Sequence, residues 1–447
     1  MTNILIIGAG RSSNVIIQYL LNTAEKFNWF VTVADAEPQL AIDKVNGHPN
    51  GRGTWLDVRK PGDRKDLIMR SDVVVSLLPP SLHYRLAKDC NKYNKYLVCA
   101  SYVTRNMWRL NPQIIDTDLE FLSQEGLDAG VEPMASVKLV NDVRAKGGKV
   151  ISLRTYAGGV MAQGTVNNPW DYRLSWNPRN IVLAGHGTTQ YIIKGKYKFL
   201  PYNRLYQHYR KVEVQESGTY DSFANRDSLL FRKEFGLEEI PTLKRSTLRS
   251  KGFCDAWNAL VELGMTDVNF PILELDKMTY RDLFEAYLIG YQEGNMSLKD
   301  RVAVVLGEEN NSDVMKKLEW LGLFDRRKIR MSNASPAEIL QDLLEKKMQL
   351  EKGDKDLVIN MNVIKYQLKG KKYRLHSTMT LEGDADGDTA MSKFIGLPIG
   401  IMVKMIMRGQ ITSKGVSVQA KPEVYIPILE ELKEHGLVFK NRLEEVK

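Results

Sequence analysis

The residues best suited to chemistry stand at the start of this chain. An apolar run at residues 4–7 leads into Gly8, Ala9 and Gly10, and a helical apolar pattern follows at Val15, Ile16, Tyr19 and Leu20. A strand, a glycine turn and a helix in that order make a dinucleotide-binding turn. Gly8 can take the angles of the tight turn, and Gly10 has no Cβ to keep a pyrophosphate from the amides and positive end of the helix. Arg11, Ser12 and Ser13 open that helix; Ser13 stands at the usual third glycine position, a departure from the pattern. A second strand at residues 30–34 ends in Asp35, placed to accept hydrogen bonds from adenosine ribose hydroxyls. A 2'-phosphate there would be repelled. The spacing therefore predicts NAD, with NADP possible if Arg52, Arg59 or Lys60 reaches in, and the competing role for Asp35 is to cap the turn before Pro38.

Other chemistry finds little footing. Six histidines, His48, His83, His186, His208, His376 and His435, show no close pairing, so no metal is expected. Asp384, Asp386 and Asp388 begin like a calcium loop, but the closing glutamate position falls on Ile395. Cys90, Cys99 and Cys254 are odd in number and lack ligand spacing, which points to a reducing compartment. With no secretory pattern at the start, a cytoplasmic protein is expected. The 447 residues are 43% hydrophobic and 26% charged, a composition that supports two or three folded cores. The net charge of +9 is interleaved with acidic residues, so it reads mainly as solvated surface. The partner class it favours is a small polycarboxylate substrate, not nucleic acid or membrane. An apolar stretch at 394–407, interrupted by Pro398 and Lys404, reads as a buried helix too short for a bilayer.

The elements that must position the turn alternate. Further strands are expected at 54–58, 73–78, 96–100 and 119–122 with helices between them, which predicts a doubly wound parallel sheet. Asp57, Val58 and Leu78 lie at strand ends and join the candidate cofactor contacts; Ser101 and Tyr102 follow the fifth strand at the same edge. Beyond residue 126 the pattern is mixed. Strands are expected at 150–157, 180–184, 191–193 and 196–200, and a hairpin at 358–368 and 372–381 turns at Gly370. Helices are expected at 280–292, 298–306, 314–321, 336–351, 391–408 and 424–435.

Separated stretches along the whole chain resemble the saccharopine dehydrogenase family of the glutamate-forming kind. They are Gly126-Leu127-Asp128-Ala129-Gly130, Tyr156-Ala157-Gly158-Gly159, Asn168-Pro169-Trp170-Asp171-Tyr172-Arg173-Leu174-Ser175-Trp176, Asn225-Arg226-Asp227-Ser228, Thr247-Leu248-Arg249 with Gly252-Phe253, Glu319-Trp320-Leu321-Gly322-Leu323 and Gly396-Leu397-Pro398. The resemblance implies an α/β fold: a Rossmann domain, residues 1–125, completed by C-terminal helices at 389–447. It also implies a mixed α+β substrate and dimerisation domain at 126–275 and 355–388, a small all-helical domain at 276–354, and a homodimer. The implied reaction oxidises the secondary amine of saccharopine with NAD(P) to an imine, which water splits into L-glutamate and 2-aminoadipate 6-semialdehyde.

The resemblance also assigns roles. Arg226 and Arg249 match carboxylate-binding arginines, with Thr247 and Leu248 beside the latter; a guanidinium suits that task because two parallel charge-assisted bonds fix both position and angle. Ser101 and Tyr102 match substrate contacts, Asp128 the catalytic carboxylate near the reacting nitrogen, and Ser175 and Trp176 cofactor contacts. The chain departs from the family pattern at Ala129, Glu132, Pro133, Ala157 and Gly164. Those departures leave two alternatives: a related dehydrogenase for another carboxylated secondary amine such as carboxy(nor)spermidine, or an inactive NAD(P)-sensing protein.

Overall fold

The computed structural model describes residues 2–101, 103–117, 119–123, 130–288, 296–411, 413–418 and 421–446. The chain forms two compact units, Met1–Ala157 with Phe231–Ile240 and Leu357–Lys447, and Gly158–Leu230 with Pro241–Asp356. In the first unit, β1 (Thr2–Ile7), β2 (Trp29–Asp35), β3 (Gly51–Trp55), β4 (Val73–Ser76), β5 (Tyr96–Cys99) and β6 (Glu120–Ser123) share a sheet with Gly415–Ser417. Its order is Gly415–Ser417, β6, β5, β4, β1, β2, β3, and every pairing is parallel. The order reverses between β1 and β4, which is where such sheets open a ligand crevice at their carboxyl ends. Four helices connect the strands: α1 (Asn14–Phe27), α2 (Pro38–Val45), α3 (Pro61–Met69) and α4 (Pro80–Tyr93). The last three start on proline, whose fixed φ suits a first turn and whose missing N–H is not needed there. Leu5, Ile7, Val74, Leu97, Cys99 and Phe121 are fully or almost fully buried in this unit's core.

The helix Ala390–Met407 lies against α1. It has the length expected for this helix and, at 18 residues, is long and apolar enough to cross a membrane, which corrects the reading of its apolar stretch as too short for a bilayer; 78% of it is buried inside the fold. Its approach to α1 depends on glycine. A Cβ on Gly396 would stand 2.9 Å from the Ile16 backbone nitrogen, and one on Gly400 would stand 2.5 Å from Cδ1 of Tyr19. Ser392 in its first turn donates to the Ser12 carbonyl at 3.1 Å.

The strand β7 (Lys149–Met161) passes from the first unit into the second. Within the second unit follow β8 (Thr189–Ile193), β9 (Lys196–Leu200), β10 (Arg210–Val214), β11 (Gly218–Ala224) and β12 (Leu243–Arg249). β10, β11 and β12 pair antiparallel, and β8 joins β12 to β9. The strand expected at 180–184 is instead a short helix, Pro178–Val182. Asn177 accepts from the Arg179 N–H at 2.9 Å and Pro178 takes the first helical position, so capping chemistry overrides a short apolar run. The helices Tyr280–Tyr287, Leu298–Leu306 and Pro336–Lys347 each open on a capping box, Thr279 with Asp282, Ser297 with Asp300, and Ser335 with Glu338. They share one core with Trp170, Tyr172, Phe253 and Trp257.

Back in the first unit, β13 (Asp356–Leu368) and β14 (Lys371–Glu382) form the hairpin, with Lys369 and Gly370 both at positive φ. A final strand, Lys440–Val446, pairs with β14 and was not expected from sequence; only two of its seven residues are partly covered, so it shows little apolar alternation. The tight crossing of α1 makes a prediction. Gly396→Ala should lower the urea midpoint: overpacking against backbone costs about 1–3 kcal/mol, whereas the gain in helix propensity is at most about 1 kcal/mol. An unchanged or raised midpoint would contradict the close contact.

Candidate active site

The turn after β1 is bare toward the crevice and fully tied beneath it. The Gly8 N–H donates to the Ala34 carbonyl at 2.8 Å and the Leu77 N–H to the Ile7 carbonyl at 2.9 Å. Gly8 has φ +111°, and a Cβ there would lie 3.3 Å from Cβ of Leu77, so the protein itself demands glycine. Gly10 is different. Its φ is −68°, and an added Cβ would meet no atom within 4 Å. Open space at a glycine that the backbone does not require fits a phosphate approaching the amides of Arg11 and Ser12, while the Ser13 N–H donates to the Gly10 carbonyl at 3.2 Å.

Asp35 accepts the Ala9 N–H at 2.6 Å through one oxygen and the Glu37 N–H at 3.0 Å through the other. It therefore does cap its own turn, and it also holds the glycine turn from the side where an adenosine ribose would lie. Ser13 is buried, and its hydroxyl folds back onto the Gly10 carbonyl at 2.8 Å, which satisfies the group that replaces the third glycine. Lys44, unmarked by any motif, donates to the Gly10 carbonyl and to Ser13 Oγ. Burial pushes its pKa below the usual lysine value, while Asp35 and Asp388 pull it back up.

The cations that could have reversed the cofactor reading are engaged elsewhere. Arg52 Nε donates to Thr32 Oγ1 at 3.3 Å, and Lys60 lies 5.6 Å over the Trp55 ring. Arg59 forks onto Asp57 at 3.0 and 3.3 Å, and that hydrogen bonding lowers the Asp57 pKa. Val58 is buried and gives its carbonyl to Arg64 at 2.5 Å, whereas Leu78 is half-buried just past β4.

At the ends of β4 and β5 the structure assembles a group the sequence did not reveal. His83, in the first turn of α4, is fully buried; its Nδ1 lies 2.8 Å from Ser76 Oγ and its Nε2 is hydrogen-bonded to Ser101 Oγ. Burial pushes its pKa down to about 4, so it is neutral at pH 7. Only its place in the fold distinguishes it from the other histidines. Tyr102 and residues 124–129, among them Gly126, Leu127, Asp128 and Ala129, lie outside the described residues.

In the second unit two motif segments, 168–176 and 252–253, meet at Arg249. This last residue of β12 is 2% exposed, and its guanidinium carbon lies 5.8 Å from the Tyr172 ring centre and 5.7 Å from that of Phe253. Its Nη1 donates to the Leu248 carbonyl at 2.9 Å, and its Nε has no partner. The loop that brings Tyr172 here is stapled by Asn168, which accepts from the Trp170 N–H at 2.9 Å and donates to the Tyr172 carbonyl at 3.0 Å. Ser250 Oγ donates to the Asp171 carbonyl at 2.9 Å. Asp221, opposite Arg249 on β11, caps the next helix by accepting from the Gly252 and Cys254 N–H groups at 2.9 and 3.3 Å. Thr247 accepts from Asn225 at 3.2 Å, and Leu248 is buried. Arg226 is exposed and reaches the Leu183 carbonyl at 3.3 Å. Ser175 is buried, and half-buried Trp176 donates to the Tyr172 hydroxyl at 3.1 Å.

A parallel sheet with a switch point, a bare glycine turn and an acidic residue after β2 defines a dinucleotide-binding oxidoreductase fold. The comparisons give it a family. The saccharopine dehydrogenase NADP binding domain matches residues 4–119 and the saccharopine dehydrogenase C-terminal domain matches residues 126–437. The chain belongs to the saccharopine dehydrogenase family, and its cofactor is a nicotinamide dinucleotide. It is 26% identical to saccharopine dehydrogenase [NADP(+), L-glutamate-forming] of Schizosaccharomyces pombe, covering 100% of this chain and 99% of that one. It is 28% identical to the alpha-aminoadipic semialdehyde synthase of Arabidopsis thaliana over 99% of this chain but 45% of that protein. The apo saccharopine dehydrogenase (L-Glu forming) structure from Saccharomyces cerevisiae superposes with a TM-score of 0.87 at 26% identity, over 99% of this chain and 100% of that one.

The buried imidazole carries a pH prediction. His83 takes a proton near pH 6.5 when unfolded but only at about 4 when folded. Its contribution is therefore present above pH 6.5 and is lost as pH falls toward 4, by about 3 kcal/mol in all. His376 shifts in the same direction, so the comparison is with His83→Asn: its urea-derived stability should fall less between pH 6.5 and 4 than that of the wild type. Parallel curves would refute a neutral buried His83.

Proposed function

We propose that this chain is a saccharopine dehydrogenase of the L-glutamate-forming type that uses NAD. The observation that carries the substrate reading is Arg249. A cation this buried costs several kcal/mol unless a counter-charge compensates it, and among the described residues no carboxylate pairs with Arg249 while its Nε stays unbonded. A substrate carboxylate supplies what is missing. The aromatic faces of Tyr172 and Phe253 hold the guanidinium plane in place, so a carboxylate meets a preset fork. Arg226 offers a second, more exposed guanidinium for another carboxylate of the same molecule. Saccharopine has three.

The dinucleotide, when bound, accepts hydride from the carbon beside the amine nitrogen. The chain's part is to bind and aim: fixing a C–H against its acceptor is worth several kcal/mol, on the order of 7 at best. We assign the proton at the nitrogen to Asp128, in keeping with the family pattern. Water then splits the imine into glutamate and semialdehyde. The NAD preference is supported by Asp35 and Glu37 after β2 and by the engagement of Arg52, Arg59 and Lys60 elsewhere. The Schizosaccharomyces pombe relative is named for NADP, so this preference would separate the chain from it.

Two measurements test this. Reduced-nicotinamide absorbance should rise with saccharopine, with kcat/KM for NAD at least about tenfold above that for NADP, the equivalent of about 1.4 kcal/mol. A preference for NADP would defeat the cofactor reading; turnover only with a carboxylated polyamine would defeat the substrate reading. Arg249→Lys keeps the charge but loses the fork, so KM for saccharopine should rise about tenfold or more while KM for NAD stays within about twofold. An unchanged saccharopine KM would remove Arg249 from the site.

A further inference from the structure

His83 joins the ends of two neighbouring strands. Ser76 closes β4 and pairs in register with Cys99 at the end of β5; two residues further on comes Ser101, while the Ala100 N–H donates to the Ser76 carbonyl at 3.0 Å. His83 reaches Ser76 with Nδ1 and Ser101 with Nε2, so three side chains form one line across this edge. Ser76 and His83 are fully buried, and Ser101 is half-buried. Among the described residues the line thus reaches the surface through Ser101. A chain sealed at its far end has no route to water for a proton, which argues against a relay to solvent. A neutral imidazole has one donor and one acceptor nitrogen, so of the two serine hydroxyls one donates to the ring and the other accepts from it, the choice following the tautomer.

Position says what Ser101 faces. Asp35 ends β2 on one side of the switch point, where the adenosine half of a dinucleotide lies; β4 and β5 end on the other side, under the nicotinamide half. We propose that His83 is a positioning residue, anchored by Ser76, that holds the Ser101 hydroxyl against the nicotinamide end of the bound dinucleotide. The inference rests on the cofactor reading of this unit and not on which amine is oxidised. His83 touches neither cofactor nor substrate and acts through Ser101.

The test uses the full-length chain and two probes. NADH spans both halves of the crevice, whereas ADP-ribose lacks the nicotinamide ring. Asn at position 83 keeps a polar group near Nδ1 but cannot reach Ser101; Gln reaches toward Nε2. His83→Asn should weaken NADH binding about fivefold, the loss of roughly one hydrogen bond, and leave ADP-ribose within about twofold. His83→Gln should restore most of the NADH affinity. Ser101→Ala should match His83→Asn, and the double variant should be no weaker than Ser101→Ala alone, because residues acting through one contact do not add. Unchanged NADH affinity in His83→Asn, equal loss for both probes, or full additivity would each overturn the inference. If His83→Asn does not fold, Ser76→Ala serves: an NADH-selective loss supports the anchor, and wild-type NADH affinity refutes it. A wild-type chain that binds neither NADH nor NADPH would instead defeat the cofactor reading, and the inference with it.

Discussion

A nucleotide site made of backbone has to satisfy its own polar groups while leaving some of them open to a ligand, and this constraint organises the first unit. The turn after β1 meets it by tying Gly8 to β2 and Ala9 to Asp35, so Gly10, Arg11 and Ser12 stay accessible on a rigid base. Everything around the turn serves that base. Lys44 and Ser13 converge on the Gly10 carbonyl, and Ser392 of a helix nearly four hundred residues later in the chain takes the Ser12 carbonyl. The glycines of that helix bring it close enough to do so. The C-terminal part of the chain is thereby made part of the cofactor-binding unit.

The second unit solves the opposite problem, keeping a charge inside. Arg249 is surrounded by rings and the Leu248 carbonyl, and among the described residues no carboxylate pairs with it. Asp221 is near in register, yet it spends one oxygen on capping the helix that begins beyond Gly252. Burial raises the Asp221 pKa, which weakens it further as a counter-charge. On the proposed reading, charge complementarity is left to the ligand.

Ala129 lies outside the described residues; the other four departures from the family pattern, Glu132, Pro133, Ala157 and Gly164, sit on backbone ordinary for their residue types. Glu132 and Pro133 lie in the first turn of the helix Val131–Ala145, where an acidic residue suits the helix dipole and a proline loses no needed N–H. Ala157 is buried on β7, and Gly164 has φ +76° in a turn where an added Cβ would touch nothing. None of these positions is strained by its substitution, so the changes bear on what the site contacts and not on whether the chain folds.

By itself the sequence determined the first six strands of the parallel sheet, the glycine turn, the acid at the end of β2 and the motif segments, but not the seventh strand, Gly415–Ser417. Each of these is a local signal, whether periodicity, turn chemistry or a run of residue types at short spacing. It also placed the hairpin turn at Gly370, while the short helix at 178–182 escaped because capping outweighed a brief apolar run. The tertiary structure alone decided that Lys44 meets Gly10, that His83 links Ser76 to Ser101, and that Tyr172 and Phe253 enclose a cation without a carboxylate. Those contacts join residues up to 77 positions apart on different elements, as Tyr172 and Arg249 are, and a histidine or lysine carries no local mark of what packing will bring beside it. The physical reason is burial: it keeps an imidazole neutral well below its usual pKa and leaves a guanidinium without solvent, and burial exists only once the chain has closed around the residue.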